Sequence, residues 1–207
     1  TTNEKIDSYI TPYRNHINKD LDSIISYCPE TLDKSKGEWQ TNIGNFMADA
    51  CIEMANPVFM KQQNKKIDII LLNSGGIRSI IPKGNITKRN AFEVMPFENS
   101  LIVIALKGEQ IKALAQHIIT EKKPHPLNGL KIILNKENVI TTILFKEKPI
   151  DNNKIYYVGT SDYLANGGDN MTFFLKNEGT FDLNYKIRNV LIDSFQKNKT
   201  IQASNTA

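Results

Sequence analysis

Two glycine loops, each preceded by an apolar stretch, constrain the fold of this chain more than any other feature. The first loop reads Asn-Ser-Gly-Gly-Ile-Arg over residues 73–78 and follows the apolar residues 67–72. The second reads Tyr-Leu-Ala-Asn-Gly-Gly-Asp over residues 163–169 and follows the apolar residues 155–160. A short and nearly continuous apolar run, such as 67–72, is typical of a strand that is buried on both faces. Both loops are thus predicted to begin where a strand ends.

Helices, strands and a hairpin are interleaved along the rest of the chain. The spacing of the apolar residues predicts, in chain order, a helix over 5–27, a helix that begins at Thr41 or Asn42 and ends near Asn56-Pro57, strands over 67–72 and 101–106, a helix from Gly108, a hairpin of 130–134 with 139–145, strands over 155–160 and 171–175, and a last helix from about Asp182. This order predicts a layered α/β (mixed α+β) fold with a mixed sheet and flanking helices. We expect a single domain over residues 1–207, with an ordered core at about 5–195 and a polar tail at 196–207.

The size and charge of the chain restrict its class. With 207 residues, a net charge of +4 and lysines spread along the sequence, it suits one globular domain and gives little support to nucleic-acid binding. No run approaches the ~20 apolar residues of a transmembrane segment. Cys28 and Cys51 have no metal-ligand spacing, so buried free thiols are expected. The chain opens on Thr1 without a methionine, which suits removal of a secretion or lipoprotein signal and equally a cut made at this point.

The first glycine loop carries groups that suit a small polar ligand. Gly75 and Gly76 let the backbone approach a ligand where any Cβ would collide with it. Asn73 offers both a donor and an acceptor, and the planar Arg78 guanidinium suits a phosphate, a carboxylate or a diol. The alternative is a tight turn whose arginine is merely solvated. The loop has neither the Gly-Lys-Ser/Thr ending of a P-loop nor the glycine spacing of a dinucleotide-binding loop.

The second glycine loop offers a carboxylate and an aromatic ring. Asp169 can accept two hydrogen bonds, as many as the neighbouring hydroxyls of a ribose supply; the alternative is a turn that the carboxylate closes by itself. Tyr163 and Phe97, from separate loops, would sandwich a planar ring, whereas a core position is the commoner place for a phenylalanine. Together with the first loop, these groups suit a molecule with a flat ring, hydroxyls and an anionic group, such as a nucleotide.

The sequence pattern lacks residues that would hydrolyse a phosphate ester. A site that activates water with metal ions needs clustered His and Asp ligands, but His16 and His117 lie on predicted helices near lysines, His125 lies between two prolines, and none of the three resembles part of a metal-ligand set. No nucleophile motif of a serine or cysteine hydrolase is present either. The sequence therefore predicts a chain that holds a ligand but has no catalytic residue, metal site or cofactor of its own.

Five motifs, in this order and spacing, resemble the C-terminal domain of the 5′-nucleotidases over about residues 5–195. They are Thr41-Asn-Ile-Gly-Asn45, Asn73-Ser-Gly-Gly-Ile-Arg78, Gly84-Asn-Ile-Thr87, Pro96-Phe-Glu-Asn99 and Tyr163-Leu-Ala-Asn-Gly-Gly-Asp169. The resemblance implies a domain that binds a nucleotide or nucleoside, with an AMP-like or adenosine-like ligand. It also implies a separate N-terminal metallophosphoesterase domain, which holds two divalent metal ions and hydrolyses the phosphate ester.

The resemblance also implies roles for individual residues. Phe97 and Tyr163 would stack on the base, and Asp169 would hold the ribose hydroxyls. Asn73 would contact the base, and Arg78 would contact the ribose or phosphate side. The predicted substrate-binding residues are Asn73, Gly75, Gly76, Arg78, Phe97, Asn99, Tyr163, Gly168 and Asp169.

Three departures from the family pattern bear on function. The family commonly has a further arginine at about the place of Gly37, where only Lys34 and Lys36 are near, so contact with the phosphate or ribose would be weaker. Tyr163 stands where phenylalanine is usual, which keeps the ring and adds a hydroxyl. The catalytic domain lies outside this sequence, so we expect it as a separate domain or subunit. The alternatives are a stand-alone nucleoside- or nucleotide-binding protein without catalysis, and a domain that keeps the fold without the ligand.

The expected location follows from the same resemblance. We expect the protein in the periplasm, at the cell surface or outside the cell. A lipid anchor added after signal removal is one way in which it would be attached.

Overall fold

Helices and strands alternate along the chain, as the sequence predicts. The computed structural model describes residues 4–202 and the side chains of residues 6–202. The helices are α1 (Glu4–Leu21), α2 (Asn42–Gln63), α3 (Lys88–Val94), α4 (Gly108–Glu121), α5 (Asp162–Ala165) and α6 (Ile187–Lys197). The strands are β1 (Ile24–Cys28), β2 (Ile69–Leu71), β3 (Gly84–Thr87), β4 (Ser100–Lys107), β5 (Leu127–Asn128), β6 (Lys131–Leu134), β7 (Ile140–Phe145), β8 (Lys148–Pro149), β9 (Ile155–Ser161) and β10 (Thr180–Lys186).

A five-stranded sheet lies at the centre of the fold, with the strand order β10-β4-β9-β2-β5. Strands β2 and β9 run parallel, and the other neighbouring pairs are antiparallel, which confirms the predicted mixed sheet. Successive side chains of a strand point to opposite faces. In β2, Ile70 belongs to the core on one face, whereas Ile69 and Leu71 belong to the core on the other. Burial on both faces explains why this strand is a continuous apolar run.

Helices cover both faces of the central sheet. On the first face α2 packs against α6, and the rings of Phe46 and Phe195 stack with their centroids 5.8 Å apart. The second face is covered by α4 and by an antiparallel sheet of order β6-β7-β8. Strands β6 and β7 form the predicted hairpin. The predicted layered fold with flanking helices is therefore confirmed.

Helix α2 begins as predicted but extends further. The Thr41 hydroxyl caps its start by accepting a hydrogen bond from the Gly44 N–H at 3.1 Å. The predicted end near Pro57 is wrong, because the helix continues to Gln63. Proline removes one backbone donor from a helix, but Phe59, two residues later, is fully buried. Burial of that ring offsets the lost hydrogen bond and keeps the segment helical.

Helix α1 is shorter than the sequence predicts. It ends at Leu21 rather than near residue 27, and the residues that follow form β1, which pairs with β3 in an antiparallel manner. The sequence analysis missed both strands. Ile24 and Ile25 are β-branched and suit a strand, and pairing with β3 outweighs the helical spacing of the apolar residues here.

Two elements near the C-terminal end also differ from the prediction. Residues 171–175, expected as a strand, contain a short 3₁₀ helix at Thr172–Phe174, in which the Phe174 side chain is fully buried. The last helix was expected from about Asp182, but this residue lies in β10 and α6 begins at Ile187. Tertiary packing decides the backbone in both places. Phe174 is buried in the core, and β10 completes the central sheet next to β4.

The chain after α6 packs on the domain. Ile201 is buried, and its N–H donates to the Tyr27 carbonyl at 2.8 Å. The packed structure thus extends beyond residue 195, into the predicted tail. Residues 203–207 of that tail lie outside the described residues. Thr1, on which the expected signal removal rests, lies outside them as well. Both cysteines are buried free thiols, as expected.

Candidate ligand-binding site

The two glycine loops border one cavity. Because β2 and β9 are parallel neighbours, their carboxyl ends lie at the same edge of the sheet, and the loops that follow them lie side by side. The cavity has a volume of about 470 Å³, a size typical of small-molecule sites. It is lined by Leu72, Asn73, Gly75, Gly76, Met95, Phe97, Asn99, Ser161, Tyr163, Asp169 and Ile187. Seven of the nine predicted site residues are among them, and Arg78 and Gly168 are not.

Asp169 joins the two loops. Its Oδ2 accepts a hydrogen bond from Asn73 Nδ2, and its Oδ1 accepts one from the Tyr163 hydroxyl, both at 2.8 Å. The residue has a φ of +49°, a left-handed conformation that aspartate adopts more readily than most residues. The side chain is exposed, and each carboxylate oxygen has a further lone pair. The carboxylate can therefore still accept hydrogen bonds from two ligand hydroxyls.

Gly168 determines where the Tyr163 ring lies. A Cβ built on Gly168 would lie 2.6 Å from two atoms of the Tyr163 ring, closer than real Cβ contacts occur. A glycine at this position lets the ring fold back over the loop, so that its hydroxyl reaches Asp169. Gly168 thus shapes the cavity through the tyrosine rather than by lining it.

Phe97 lines the cavity from the segment between α3 and β4, and its side chain is 43% exposed. The alternative of a core phenylalanine does not hold. Two cations at the start of α6 hold this segment. Arg188 pairs with Glu98, and its Nη1 donates to the Pro96 carbonyl at 3.4 Å. Lys186 Nζ donates to the Glu98 carbonyl at 2.6 Å. The sequence analysis missed both cations, because their contacts are 88 to 92 positions away.

The charge of Arg188 acts on the side chain that it binds. By hydrogen bond and by charge, the guanidinium holds the pKa of the Glu98 carboxyl below its ordinary value. The arginine itself is nearly buried, and its guanidinium carbon lies 4.2 Å from the centroid of the Phe92 ring. A buried and paired arginine is a firmer anchor for the phenylalanine segment than a pair of solvated charges.

Asn99 and Asp162 tie the phenylalanine segment to the tyrosine loop. Asp162 Oδ1 accepts hydrogen bonds from Asn99 Nδ2 at 2.7 Å and from the Tyr163 N–H at 2.8 Å. The Asn99 carbonyl accepts from the Ile187 N–H at 3.0 Å. Both aromatic side chains of the cavity are thus carried by segments that share one carboxylate. Sequence reasoning noted no role for Asp162, and its flanking position beside Tyr163 was the one available signal.

Two cationic side chains lie at the first glycine loop without lining the cavity. Arg78 is exposed, and its Nη1 lies 3.5 Å from the Gly75 carbonyl oxygen, at the limit of a hydrogen bond. Its guanidinium can therefore turn toward a ligand at small cost. Lys34 Nζ donates to the carbonyls of Ser74 and Ile77 at 3.2 and 2.7 Å. Lys34, near the place of the missing family arginine, thus fixes the backbone of this loop.

A buried histidine contacts the same loop from the protein interior. The Ser74 N–H donates to His125 Nδ1 at 3.2 Å, and the His125 side chain is 4% exposed. Burial, followed by the neighbouring His117, lowers the pKa of His125 to about 4. The imidazole is therefore neutral at neutral pH. Its position between two prolines was the one sequence signal, and that signal did not indicate a contact with the loop.

The chemistry of the cavity is that of hydrogen bonds, aromatic faces and one carboxylate. Within residues 4–202, no three His, Cys, Asp or Glu side chains come together as metal ligands. The two metal ions that the resemblance implies thus find no ligand set in this part of the chain. None of the helices described is long and apolar enough to cross a membrane.

The fold is that of an α/β domain with a cavity at the edge of a mixed sheet. The family model described as "5′-nucleotidase, C-terminal domain" matches residues 29–176. The chain belongs to this family, which confirms the resemblance seen in its motifs.

Known relatives are similar over only part of their length. The chain is 27% identical over 172 residues to an apyrase of Tabanus yao, covering 73% of this chain and 31% of the apyrase. It is 30% identical over 136 residues to the NAD 5′-nucleotidase of Haemophilus influenzae, covering 56% of this chain and 22% of that protein. The crystal structure of a 5′-nucleotidase precursor from Thermus thermophilus has the same fold, with a TM-score of 0.79 at 24% identity, over 97% of this chain and 41% of that one. The chain thus spans a third or less of the curated relatives named here.

Proposed function

We propose that this chain is the nucleotide- or nucleoside-binding domain of a 5′-nucleotidase-type phosphoester hydrolase. In this proposal the base stacks on Phe97 and Tyr163, and the ribose hydroxyls donate to Asp169. A separate metallophosphoesterase domain or chain hydrolyses the 5′-phosphate. The observation that carries the proposal is that one cavity combines two exposed aromatic rings with an exposed carboxylate.

The cavity lining suits a nucleoside in its interactions. A base that stacks on an aromatic side chain gains about 1–3 kcal/mol per base. Hydrogen bonds to a charged group contribute about 1.5–3 kcal/mol each. At Gly76, a Cβ would lie 3.0 Å from Asn73 Oδ1 and would crowd the asparagine that contacts Asp169. A bare backbone at this place therefore protects the arrangement that would read the ligand.

Arg78 is the residue that we propose for the phosphate side of the ligand. Its guanidinium makes one weak contact with the Gly75 carbonyl and stands at the loop that borders the cavity. Lys34 already donates to two backbone carbonyls, so it is less available to a phosphate. We therefore expect this chain alone to bind AMP only modestly more tightly than adenosine, since one arginine would have to hold the phosphate.

Hydrolysis would depend on groups outside this chain. The divalent metal ions implied by the family would belong to the metallophosphoesterase domain. The contribution of this chain would be to hold the base and ribose in a fixed geometry, which places the phosphate beside the catalytic groups. Positioning of this kind can supply a large part of a rate enhancement.

An apolar stripe on α1 favours an enzyme part over a stand-alone binding protein. It consists of Ile6, Tyr9, Ile10, Tyr13 and Ile17, which are 37–72% exposed. The helix is fixed to the domain near its end, where Arg89 pairs with Asp22 at 2.6 Å, and not by burial of this stripe. Large apolar side chains aligned on an exposed face are typical of a protein interface. The match covers a third or less of these relatives, so we propose the catalytic domain as the occupant of this face.

The proposed location, in the periplasm or at the cell surface with or without a lipid anchor, rests on the family resemblance alone. Cell fractionation with an antibody against this chain would test it, and recovery in the cytoplasmic fraction would overturn it.

Ligand binding is tested first, with this chain alone and without metal. Thermal unfolding is followed during titration with adenosine, AMP and ADP, since a ligand at about 100 times its Kd raises the free energy of unfolding by roughly 2.7 kcal/mol. Asp169→Ala should abolish most of the shift. Glu137→Ala is the matched control, because it removes an exposed carboxylate from the β6–β7 turn, away from the cavity. No shift of the unmodified chain at millimolar ligand would overturn nucleoside binding.

The catalytic part of the proposal is tested with a partner. The metallophosphoesterase domain of a relative is mixed with this chain, and phosphate release from AMP is compared with that of the domain alone. We expect an increase with the unmodified chain and none with Asp169→Ala. An equal rate in the presence and absence of the chain would overturn the partnership while leaving the binding result intact.

A further inference from the structure

His125 is connected to the ligand-facing carboxylate by two hydrogen bonds, which the backbone between Ser74 and Asn73 joins. Its Nδ1 accepts from the Ser74 N–H at 3.2 Å. The residue before Ser74 is Asn73, whose side-chain amide donates to Asp169 at 2.8 Å. The histidine thus fixes the backbone of the residue next to the one that orients the carboxylate. None of its own atoms lines the cavity.

The contact requires one protonation state of the imidazole. Nδ1 accepts a hydrogen bond only when it is unprotonated, so the neutral ring must carry its proton on Nε2. Nε2 has no hydrogen-bond partner within residues 4–202, so the Ser74 contact is the interaction that selects this tautomer. The charged and titratable groups around the ring are His117 and Glu121 of α4, Lys123 of the following segment, and Asp169 of the second glycine loop. Burial exceeds all of them and keeps the ring neutral.

We propose that His125 is a positioning residue that gives this site its preference for ligands with two neighbouring hydroxyls. The proposal rests on the function proposed above, in which Asp169 accepts the ribose hydroxyls. Without an acceptor at His125, the Ser74 N–H would be left unpaired, and the loop would move to find another partner. Asn73 would then lose its hold on Asp169 Oδ2, and the remaining bond from the Tyr163 hydroxyl to Oδ1 would not by itself fix the carboxylate for a diol. The Phe97 ring lines the cavity from a different segment, between α3 and β4, and would not depend on this contact.

A histidine that merely fills space in the interior would behave differently. Its removal would loosen the whole site and weaken every ligand to a similar extent. A positioning role predicts a larger loss for a ligand with the diol than for one without it, because the diol contact depends on the geometry of Asp169. The ratio of affinities for two ligands that differ only in the diol therefore separates the two roles.

The experiment compares adenosine with 2′,3′-dideoxyadenosine by calorimetry at pH 7.5. We expect the unmodified chain to prefer adenosine by about tenfold or more, which is one good hydrogen bond to a carboxylate. His125→Leu removes the acceptor, and the preference should fall to within about threefold, because the loss for the dideoxy ligand is smaller than that for adenosine. His125→Asn places Oδ1 at the same number of bonds from the backbone as Nδ1 and should restore the preference.

An unchanged ratio of the affinities for adenosine and 2′,3′-dideoxyadenosine in His125→Leu would overturn the positioning role and leave nucleoside binding standing. Binding of both ligands by the unmodified chain without a diol preference would do the same. Failure of the unmodified chain to bind either ligand would overturn the proposed function, and this inference with it. If His125→Leu does not fold, ¹⁵N NMR of the unmodified chain and the affinities of His125→Asn decide. An imidazole protonated at Nδ1, or a lost diol preference in His125→Asn, would overturn the proposal; protonation at Nε2 with the preference kept in His125→Asn would support it.

Discussion

Replacing Gly168 by alanine should weaken ligand binding while leaving the fold intact. The added Cβ would lie 2.6 Å from two atoms of the Tyr163 ring and 2.7 Å from a third. Since carbon atoms pack at about 3.5–4.0 Å, the ring has to move away by roughly an ångström. Tyr163 is 48% exposed, so the ring can turn toward solvent without opening the core.

The size of the effect follows from what the moved ring loses. The base would lose its stacking on Tyr163, a contact of about 1–3 kcal/mol. The Tyr163 hydroxyl would also release Asp169 Oδ1, a hydrogen bond of about 1.5–3 kcal/mol because the acceptor is charged. These terms are not additive, so we expect a total loss near 2–3 kcal/mol, or about 30- to 150-fold in Kd.

A double-mutant cycle tests this account. Affinity for adenosine is measured by calorimetry for the unmodified chain, Gly168→Ala, Tyr163→Ala and the double variant. If the alanine acts through the ring, it should have almost no effect once the ring is gone. Tyr163→Phe measures the hydroxyl separately, because it keeps the ring and removes the bond to Asp169.

Two results would refute the reasoning. One is an undiminished affinity in Gly168→Ala, which would mean that the ring takes no part in binding or moves without consequence. The other is an equal loss in the presence and absence of Tyr163, which would place the effect in the backbone of the loop. Unfolding temperatures serve as the control, and we expect them to change little.

Three further predictions concern the surroundings of the cavity. Arg78→Ala should lower the affinity for AMP about fivefold to tenfold more than that for adenosine, measured by calorimetry, because its guanidinium would meet the phosphate; equal losses for both ligands would contradict this role. Arg188→Leu should speed amide hydrogen exchange in residues 96–99 and weaken adenosine binding, because the Phe97 segment loses its contacts to Glu98 and Pro96; unchanged exchange would contradict the anchoring role. The pKa of His125 is about 6.5 in the unfolded chain and about 4 in the folded one. As the pH is lowered from 6.5 to 4, the unfolded chain therefore binds a proton that the folded chain does not, and the free energy of unfolding should fall by up to about 3 kcal/mol. Denaturant titrations of the unmodified chain and His125→Asn at several pH values check this, and the same pH dependence in both would contradict it.

The elements that the sequence predicted are those whose local pattern agrees with their packing. Strand β2 is continuous and apolar because both of its faces are buried, and a run of apolar residues indicates such burial directly. Helix α4 begins at Gly108 as predicted, with its buried residues on one face. Both glycine loops were located because glycine pairs after strands have few other uses.

The errors arose where distant contacts outweigh local preference. Pro57 predicts a helix end, yet packing carries α2 past it. Ile24 and Ile25 continue a helical spacing, yet they pair with a strand about sixty positions away. Phe174 sits in an apolar run that reads as a strand, but its burial fixes a 3₁₀ helix. Periodicity reports which residues are buried better than it reports the backbone that buries them.

In the candidate site, too, the residues indicated by local sequence were predicted, and those that act through distant contacts were not. Its cavity-lining polar groups, such as Asn73 and Asp169, could be predicted from the sequence, because their types and neighbours indicate polar contacts in loops. Their supports could not be chosen. Arg188, Asp162 and His125 act through residues that are 51 to 92 positions away, and no local pattern indicates such contacts. The binding roles of the ligand-facing residues themselves stay predictions until a ligand is measured.

The parallel contact between β2 and β9 has a consequence for how the protein is made. Two residue pairs, Ile69 with Val158 and Ile70 with Gly159, join the strands that carry the two halves of the cavity. During synthesis, a chain that has emerged only as far as β7 contains Asn73 and lacks Asp169. The halves meet only after a long stretch of chain has closed on itself, which is a slow and entropically costly step. Affinity for a nucleoside would therefore appear late in folding, and a nucleoside supplied during refolding would stabilise only chains whose central sheet is complete.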